Sequence, residues 1–335
     1  MRSAGLGSAL VAVLLAGCRA VPREAPVERT IADRPYVLVL GTAQDGGLPQ
    51  IGCYDSPCVA AREDPRRERL VTSLLLCDPR DGRRWLFDCT PDIAAQVERA
   101  RGQPSTRKEA GPRPPLFDGL FLTHAHMGHY GGLLELGREA YAATELATWV
   151  TPRFADFLRR DGPWKLLVEE KHLVLHELAP GESVVLAPDL SVVAFRVPHR
   201  DELSDTVGFE IHGPNRTLVY LPDIDKWEAW DAFAEDGAPA PGHIEKLLER
   251  CNFALVDGTF YADGEVPGRS MKDIPHPFVS ESLARLSRLP AAARARVYFT
   301  HLNHTNPVAE KGSAAWNRVR AKGMSVLEEG QLFGL

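Results

Sequence analysis

Thr123-His124-Ala125-His126-Met127-Gly128-His129-Tyr130-Gly131-Gly132 places three histidines within six residues, directly behind the apolar run from Leu116 to Leu122. Neutral imidazole is the commonest protein ligand for zinc and similar metals. A strand that carries His124 and His126 presents both on one side, because side chains alternate along extended backbone. Gly131-Gly132 and the pattern Leu133-Leu134-Glu135-Leu136 then predict a helix beginning near His129. Strand, cluster and helix come in the order a metal site needs, which a histidine-rich surface loop would not require.

The rest of the chain sets the frame for that cluster. Its 335 residues, 44% apolar and 25% charged, have an ordinary globular balance. A net charge of -6 leaves no electrostatic footprint for nucleic acid, so the expected partner is a small-molecule substrate. Heptads, repeats and low-complexity tracts are absent.

Residues 1–18 read as a targeting segment. Arg2 supplies a positive start, and the apolar run Leu6 to Ala16 is too short for a membrane span. It ends in Leu15-Ala16-Gly17-Cys18, which resembles a bacterial lipoprotein signal with Cys18 as the lipidated residue. The alternative is a plain secretory signal with an incidental cysteine. The expected location is the cell envelope, lipid-anchored on the periplasmic side, or else the periplasm or medium as a soluble protein. Residues 19–34 are polar and proline-bearing and read as a tether. Five cysteines remain beyond Cys18, an odd number that leaves at least one outside any intramolecular disulfide. Cys77 and Cys89 flank the turn Asp78-Pro79-Arg80-Asp81-Gly82 and read as a disulfide or as two buried thiols.

From residue 35 to 335 strands and helices alternate without a long linker. The apolar runs predict strands at Tyr36–Leu40, within 70–78 and 84–89, at 147–150, 191–197, 206–211, 217–221, 253–257 and 296–300, and two short ones at the end. Helices are expected at 91–101, 152–160, 243–250, 279–289 and 314–322, and residues 165–212 read as several short strands. Gly41 to Pro49 is a glycine-rich loop without a phosphate-cradle pattern, read as lying near the active site. Residues 102–115 form a proline-rich, charged excursion. The pattern predicts one α/β domain of two packed sheets covered by helices.

Further ligand types recur at strand ends: His199 in Val197-Pro198-His199, Asp223 after Leu221-Pro222, Asp257 after Val256, and His301 after Thr300. The cluster is similar to the HxHxDH signature of the metallo-β-lactamase superfamily, and these later residues resemble its remaining motifs in order. Within the superfamily, Gly41 to Cys53 and Asp257 to Pro307 look most like coenzyme PQQ synthesis protein B and the phosphodiesterases of phosphonate metabolism. The resemblance implies an αββα four-layer sandwich. It implies one zinc held by His124, His126 and His199, and a second metal near His129 and His301 with Asp223 bridging. Such a pair suits a metal-bound hydroxide as nucleophile, with iron or manganese as other metals. His276, in Ile274-Pro275-His276-Pro277, resembles the histidine that phosphodiesterase relatives use to assist the leaving group; otherwise it is a loop histidine.

One departure matters. The superfamily aspartate before the third histidine is Gly128, which leaves at most His129, Asp223 and His301 for the second metal and predicts a weaker or differently filled position. Relatives also carry a structural zinc on a CxCxxC loop. Here that loop reads Cys53-Tyr54-Asp55-Ser56-Pro57-Cys58, so Cys53, Asp55, Cys58 and His304 are the expected ligands, with a Cys53–Cys58 disulfide as the alternative. The expected activity is metal-dependent hydrolysis of a phosphodiester or other ester outside the cytoplasm. The alternatives are an iron-dependent oxidative enzyme like PQQ synthesis protein B and a non-catalytic metal-binding module of the envelope.

Overall fold

Each central strand is apolar on both faces, and that property organises the molecule. The computed structural model describes residues 34–101, 115–233 and 242–335, apart from 267, 269, 272 and 273. The expected targeting segment with Cys18, all but the last residue of the expected tether, and residues 102–114 lie outside the described residues. The described residues all belong to one compact unit.

The strands are β1 (Tyr36–Gly41), β2 (Ser73–Asp78), β3 (Arg83–Phe87), β4 (Gly119–Phe121), β5 (Leu146–Val150), β6 (Leu173–Glu177) and β7 (Ser183–Ala187). They continue as β8 (Leu190–Val197), β9 (Thr206–His212), β10 (Thr217–Leu221), β11 (Phe253–Asp257), β12 (Val297–Thr300), β13 (Ser325–Val326) and β14 (Leu332–Gly334). One sheet has the order β14-β1-β2-β3-β4-β5-β6 and the other β13-β12-β11-β10-β9-β8-β7.

Alternation sorts the side chains into three apolar layers. Tyr36, Leu38 and Leu40 face helices that contribute Ile93, Phe154 and Trp164. Val37 and Val39 face the other sheet, where Phe87, Phe121 and Phe209 meet. Phe87 and Phe121 stack at 4.9 Å, and Phe209 packs edge-on at 5.6 Å from Phe121. Leu221, Val256 and Phe299 turn outward against Ile244, Leu283 and Val319 of the second helix layer. The architecture is helix, sheet, sheet, helix, as the resemblance implies.

Strand direction decides where function gathers. β10, β11 and β12 are parallel, in the register Leu221↔Val256 and Asp257↔Thr300. β8 is antiparallel to β9, and β9 to β10, so β8 ends at the same edge. β3 and β4 run parallel in the first sheet with Phe87 opposite Phe121. The segments following these strands therefore emerge together.

Three local expectations are corrected. β4 stops at Phe121, so His124 and His126 lie in the loop before the helix Met127–Tyr130 and not on a strand. The cause is Asp88, which accepts from the Thr123 backbone N–H at 2.8 Å and from its hydroxyl at 2.9 Å, withdrawing that residue from the ladder. Residues 165–169 belong to a helix, Trp164–Glu169, because Trp164 and Leu167 are buried three apart on one face. The helix Ser56–Glu63 was not anticipated; it has Pro57 in its first turn and buries Cys58 and Ala61. Cys77 and Cys89 are separate buried thiols, and burial pushes Cys77 up to about 11. Among the described residues no helix is long and apolar enough to cross a membrane.

Candidate metal centre

Asp223, only 3% exposed, stands where the two sheets deliver their ligands. A buried carboxylate is costly unless it is paired, and this one is ringed by imidazoles. Its Oδ1 lies 3.2 Å from His199 Nε2 and 3.2 Å from His276 Nδ1. Its Oδ2 lies 3.3 Å from His124 Nε2, 3.8 Å from His129 Nε2 and 3.9 Å from His301 Nε2. Burial works against the charge, but His199, His276 and His301 override it and hold Asp223 well below the usual carboxylate range.

The ligand atoms around this aspartate fall into two groups at the positions expected for metal, and a third joins Asp223, Asp257, His276 and His301. In the first, the donor atoms of His124, His126, His199 and Asp223 all lie within 4.8 Å of one another. His126 enters through Nδ1, 2.9 Å from His124 Nε2. In the second group His129 and His301 face each other, and they are joined by Asp45 within the same 4.8 Å limit. The structure thus brings together every histidine expected at the two positions. It adds Asp45, from the glycine-rich loop, as a residue the sequence reading passed over.

Each histidine is fixed through its other ring nitrogen, the arrangement typical of metal-ligating imidazole. His124 Nδ1 meets Thr123 Oγ1 at 3.0 Å, and His129 Nδ1 meets Asp88 Oδ2 at 2.8 Å. His199 Nδ1 meets Asp225 at 3.3 Å, and His301 Nδ1 meets Thr259 Oγ1 at 2.8 Å. His126 Nε2 is held by Glu202 at 3.1 Å. What is left over points inward: Asp45 Oδ1, His129 Nε2, His199 Nε2, Asp223 Oδ1 and His301 Nε2 are buried and make no hydrogen bond. Buried polar atoms are normally satisfied, and orphaned nitrogen and oxygen donors converging on one volume fit divalent metal ions.

His276 sits beside the first two groups. Its Nδ1 lies 2.8 Å from Asp257 Oδ2, and Asp257 is itself held by the Thr259 N–H and hydroxyl, each at 2.8 Å. Burial would lower this histidine, but Asp257 and Asp223 raise it to about 10 in the metal-free protein. Asp257 therefore positions His276 and stands second to Asp223 as a ligand candidate.

The expected cysteine site is partly corrected. Cys53, Cys58 and His304 converge within 4.8 Å, while Asp55 stands outside the group. Asp55 is the exposed residue that begins the helix Ser56–Glu63, with extended backbone, and its carbonyl accepts from Val59 at 3.0 Å. Its charge still acts on His304. Asp45, Asp88, Asp225, Glu202 and Thr259 were all missed as functional residues. Asp88 was recoverable, since it follows β3 as Asp223 follows β10.

Protonation yields a first prediction. Burial opposes the charge on His199, yet Asp223 raises it to about 9; burial opposes His129, yet Asp88 raises it to about 8. Both are cationic at pH 7 in the metal-free protein, whereas a metal takes neutral imidazole. Metal uptake at pH 7 should therefore release protons, and apparent affinity should climb as pH rises through about 9. A pH-indicator titration at pH 7 and pH 9.5 measures this; equal affinity and no proton release at both would contradict it.

Comparison with known proteins agrees with this geometry. Residues 83–302 match the family described as the Beta-lactamase superfamily domain. Coenzyme PQQ synthesis protein B of Methylobacterium sp. (strain 4-46) is 27% identical over 88% of this chain and 97% of its own. The fold is similar to that of Zn(2+)-bound PqqB from Methylobacterium extorquens, with a TM-score of 0.72 at 24% identity over 90% of this chain and all of that one. It is also similar to a diphosphatase from the PhnP family, with a TM-score of 0.61 at 19% identity over 90% and 97% of the two chains. The chain belongs to the metallo-β-lactamase superfamily and is PqqB-like within it.

Proposed function

We propose that this protein is a metal-dependent hydrolase that cleaves a phosphodiester or other ester of a small molecule, with zinc held by His124, His126 and His199. The observation that carries this reading is Asp223, a buried carboxylate 3.3 Å from His124 in one group and 3.8 Å from His129 in the other. Divalent metal bound there would supply Lewis acidity and activate water. The chain's own residues do the rest. Asp223 holds both groups in register. His276, whose charged form Asp257 favours and which Asp257 orients at 2.8 Å, is placed to give a proton to the leaving group. Glu202 and Asp225 keep His126 and His199 turned toward the centre.

The test is turnover. Protein loaded with zinc or manganese should hydrolyse bis(p-nitrophenyl) phosphate, and His126→Ala should fall to the uncatalysed rate. Undiminished turnover by the variant would overturn the assignment.

A 27% identity, over 88% of the chain, to a protein named for PQQ synthesis supports a second reading, iron-dependent oxidative chemistry. Oxygen uptake by the iron-loaded protein, absent with zinc, would favour it over hydrolysis.

We place the protein in the bacterial envelope, anchored through a lipid on Cys18, because Leu15-Ala16-Gly17-Cys18 ends a short apolar run. Cys18→Ala should move the full chain from the membrane fraction to the soluble fraction; a variant that stays with membranes would refute the anchor.

A further inference from the structure

Gly128 and Asp45 occupy one volume between them. A Cβ built on Gly128 would stand 2.0 Å from Asp45 Oδ1 and 2.8 Å from Asp45 Cα. No side chain fits at position 128 while Asp45 is where it is, so the glycine makes room for a carboxylate arriving from another part of the chain. That carboxylate is aimed. Asp45 Oδ1 lies 3.7 Å from His129 Nε2 and 3.8 Å from His301 Nε2, and it is buried without a hydrogen bond although its side chain as a whole is 35% exposed. Its other oxygen takes the Gln44 amide at 3.3 Å.

The loop that carries Asp45 is fastened to the segment that carries His301. The Gln44 N–H donates to the Leu302 carbonyl at 2.9 Å, and the Leu302 N–H donates back to Thr42 at 2.9 Å. Gly47, at φ 65, lets the chain turn while its N–H closes on Gln44 at 2.8 Å. Backbone hydrogen bonds at Thr42, Gln44 and Gly47 therefore hold the loop on both sides of Asp45.

We infer that Asp45 is the carboxylate ligand of the second metal position, which it completes with His129, His301 and Asp223, and that Gly128 is the complementary half of this arrangement. The second position then has two imidazoles and two carboxylates, a full set for zinc, manganese or iron. It is a differently built site, not a degraded one. This rests on the proposal that the centre binds metal, but not on the reaction it performs.

Metal content, read without turnover, tests it. Metal-free full-length protein is titrated with zinc against a chromophoric chelator, and cobalt spectra report the first position separately. Asp45→Asn, which keeps the side chain's shape, should bind one equivalent fewer than wild type, or bind that equivalent more weakly by over the about 100-fold that loss of an outer-shell partner costs. In the exchange variant Asp45→Gly with Gly128→Asp, an aspartate at 128 starts 2.0 Å from where the Asp45 oxygen was, and the lost equivalent should return. Undiminished stoichiometry and affinity in Asp45→Asn would overturn the inference. So would failure of the exchange variant to regain the equivalent while its circular dichroism and first-position cobalt spectrum match wild type. If the metal counts behave as expected and no ester is cleaved, only the hydrolase reading falls.

Discussion

Asp223→Asn should cost the protein metal at both positions at once. Its carboxylate stands close to both groups: Oδ2 is 3.3 Å from His124 Nε2 in the first and 3.9 Å from His301 Nε2 in the second. Asparagine preserves the volume but removes the negative charge that the surrounding imidazoles share. Loss of an outer-shell partner already weakens metal binding about 10–100-fold, and loss of a shared ligand should exceed that at each position. Turnover of any metal-dependent substrate should fall to background with it. His199, raised to about 9 mainly by Asp223, should titrate lower in the variant, so its share of proton release on metal binding at pH 7 should shrink. Metal analysis after exhaustive dialysis, paired with an NMR titration of the imidazoles, reads both effects. A variant that retained two equivalents with His199 still near 9 would remove Asp223 from the centre of the mechanism.

Much of this site could be read in the sequence because its ligands obey a one-dimensional rule. His199, Asp223, Asp257 and His301 each follow an apolar strand, and parallel strands bring such ends to one edge. The three histidines of the cluster are local and need no fold to be grouped. Asp45 obeys neither rule. It lies in a loop rich in glycine, 83 positions before the glycine whose space it fills, and only the packing of β1's loop against the His129 turn reveals the pair. The same limit explains Asp55. The resemblance to relatives with a CxCxxC loop put it among Cys53, Cys58 and His304, but a motif match does not say that residue 55 begins a helix and turns outward. Helix boundaries set by a buried pair, such as Trp164 with Leu167, were lost for a related reason: a six-residue segment is too short for its period to compete with the strand pattern that follows.

Asp88→Asn should remove the second metal while sparing the first, through a proton and not through a lost ligand. Asp88 is fully buried at the end of β3, with φ 62, a conformation asparagine also tolerates, so the substitution adds no backbone strain. Its carboxylate accepts from the Thr123 N–H at 2.8 Å, from the Tyr220 hydroxyl at 3.0 Å across the sheet interface, and from His129 Nδ1 at 2.8 Å. When the ring is neutral, above about pH 8, accepting from Nδ1 keeps the remaining His129 proton there and leaves Nε2 bare, facing Asp45 and Asp223. An asparagine whose amide nitrogen replaces Oδ2 donates to Nδ1 instead, which drives the proton to Nε2, where it blocks coordination. The second equivalent should weaken by about 10–100-fold. His129, raised to about 8 largely by this carboxylate, should titrate lower. Tyr220 loses the nearer of its two acceptors in the same step and keeps the Thr72 carbonyl at 3.4 Å, a cost of about 0.5–1.5 kcal/mol for one hydrogen bond, so urea unfolding of the metal-free variant should shift to lower denaturant. The pattern is specific: first-position cobalt spectrum retained, second equivalent weakened, and the His129 proton moved from Nδ1 to Nε2 in nitrogen-15 spectra taken above pH 8, where the ring is neutral. If stability falls but the second equivalent binds as in wild type with the proton still on Nδ1, Asp88 serves the sheet interface alone and the orientation of His129 has another source.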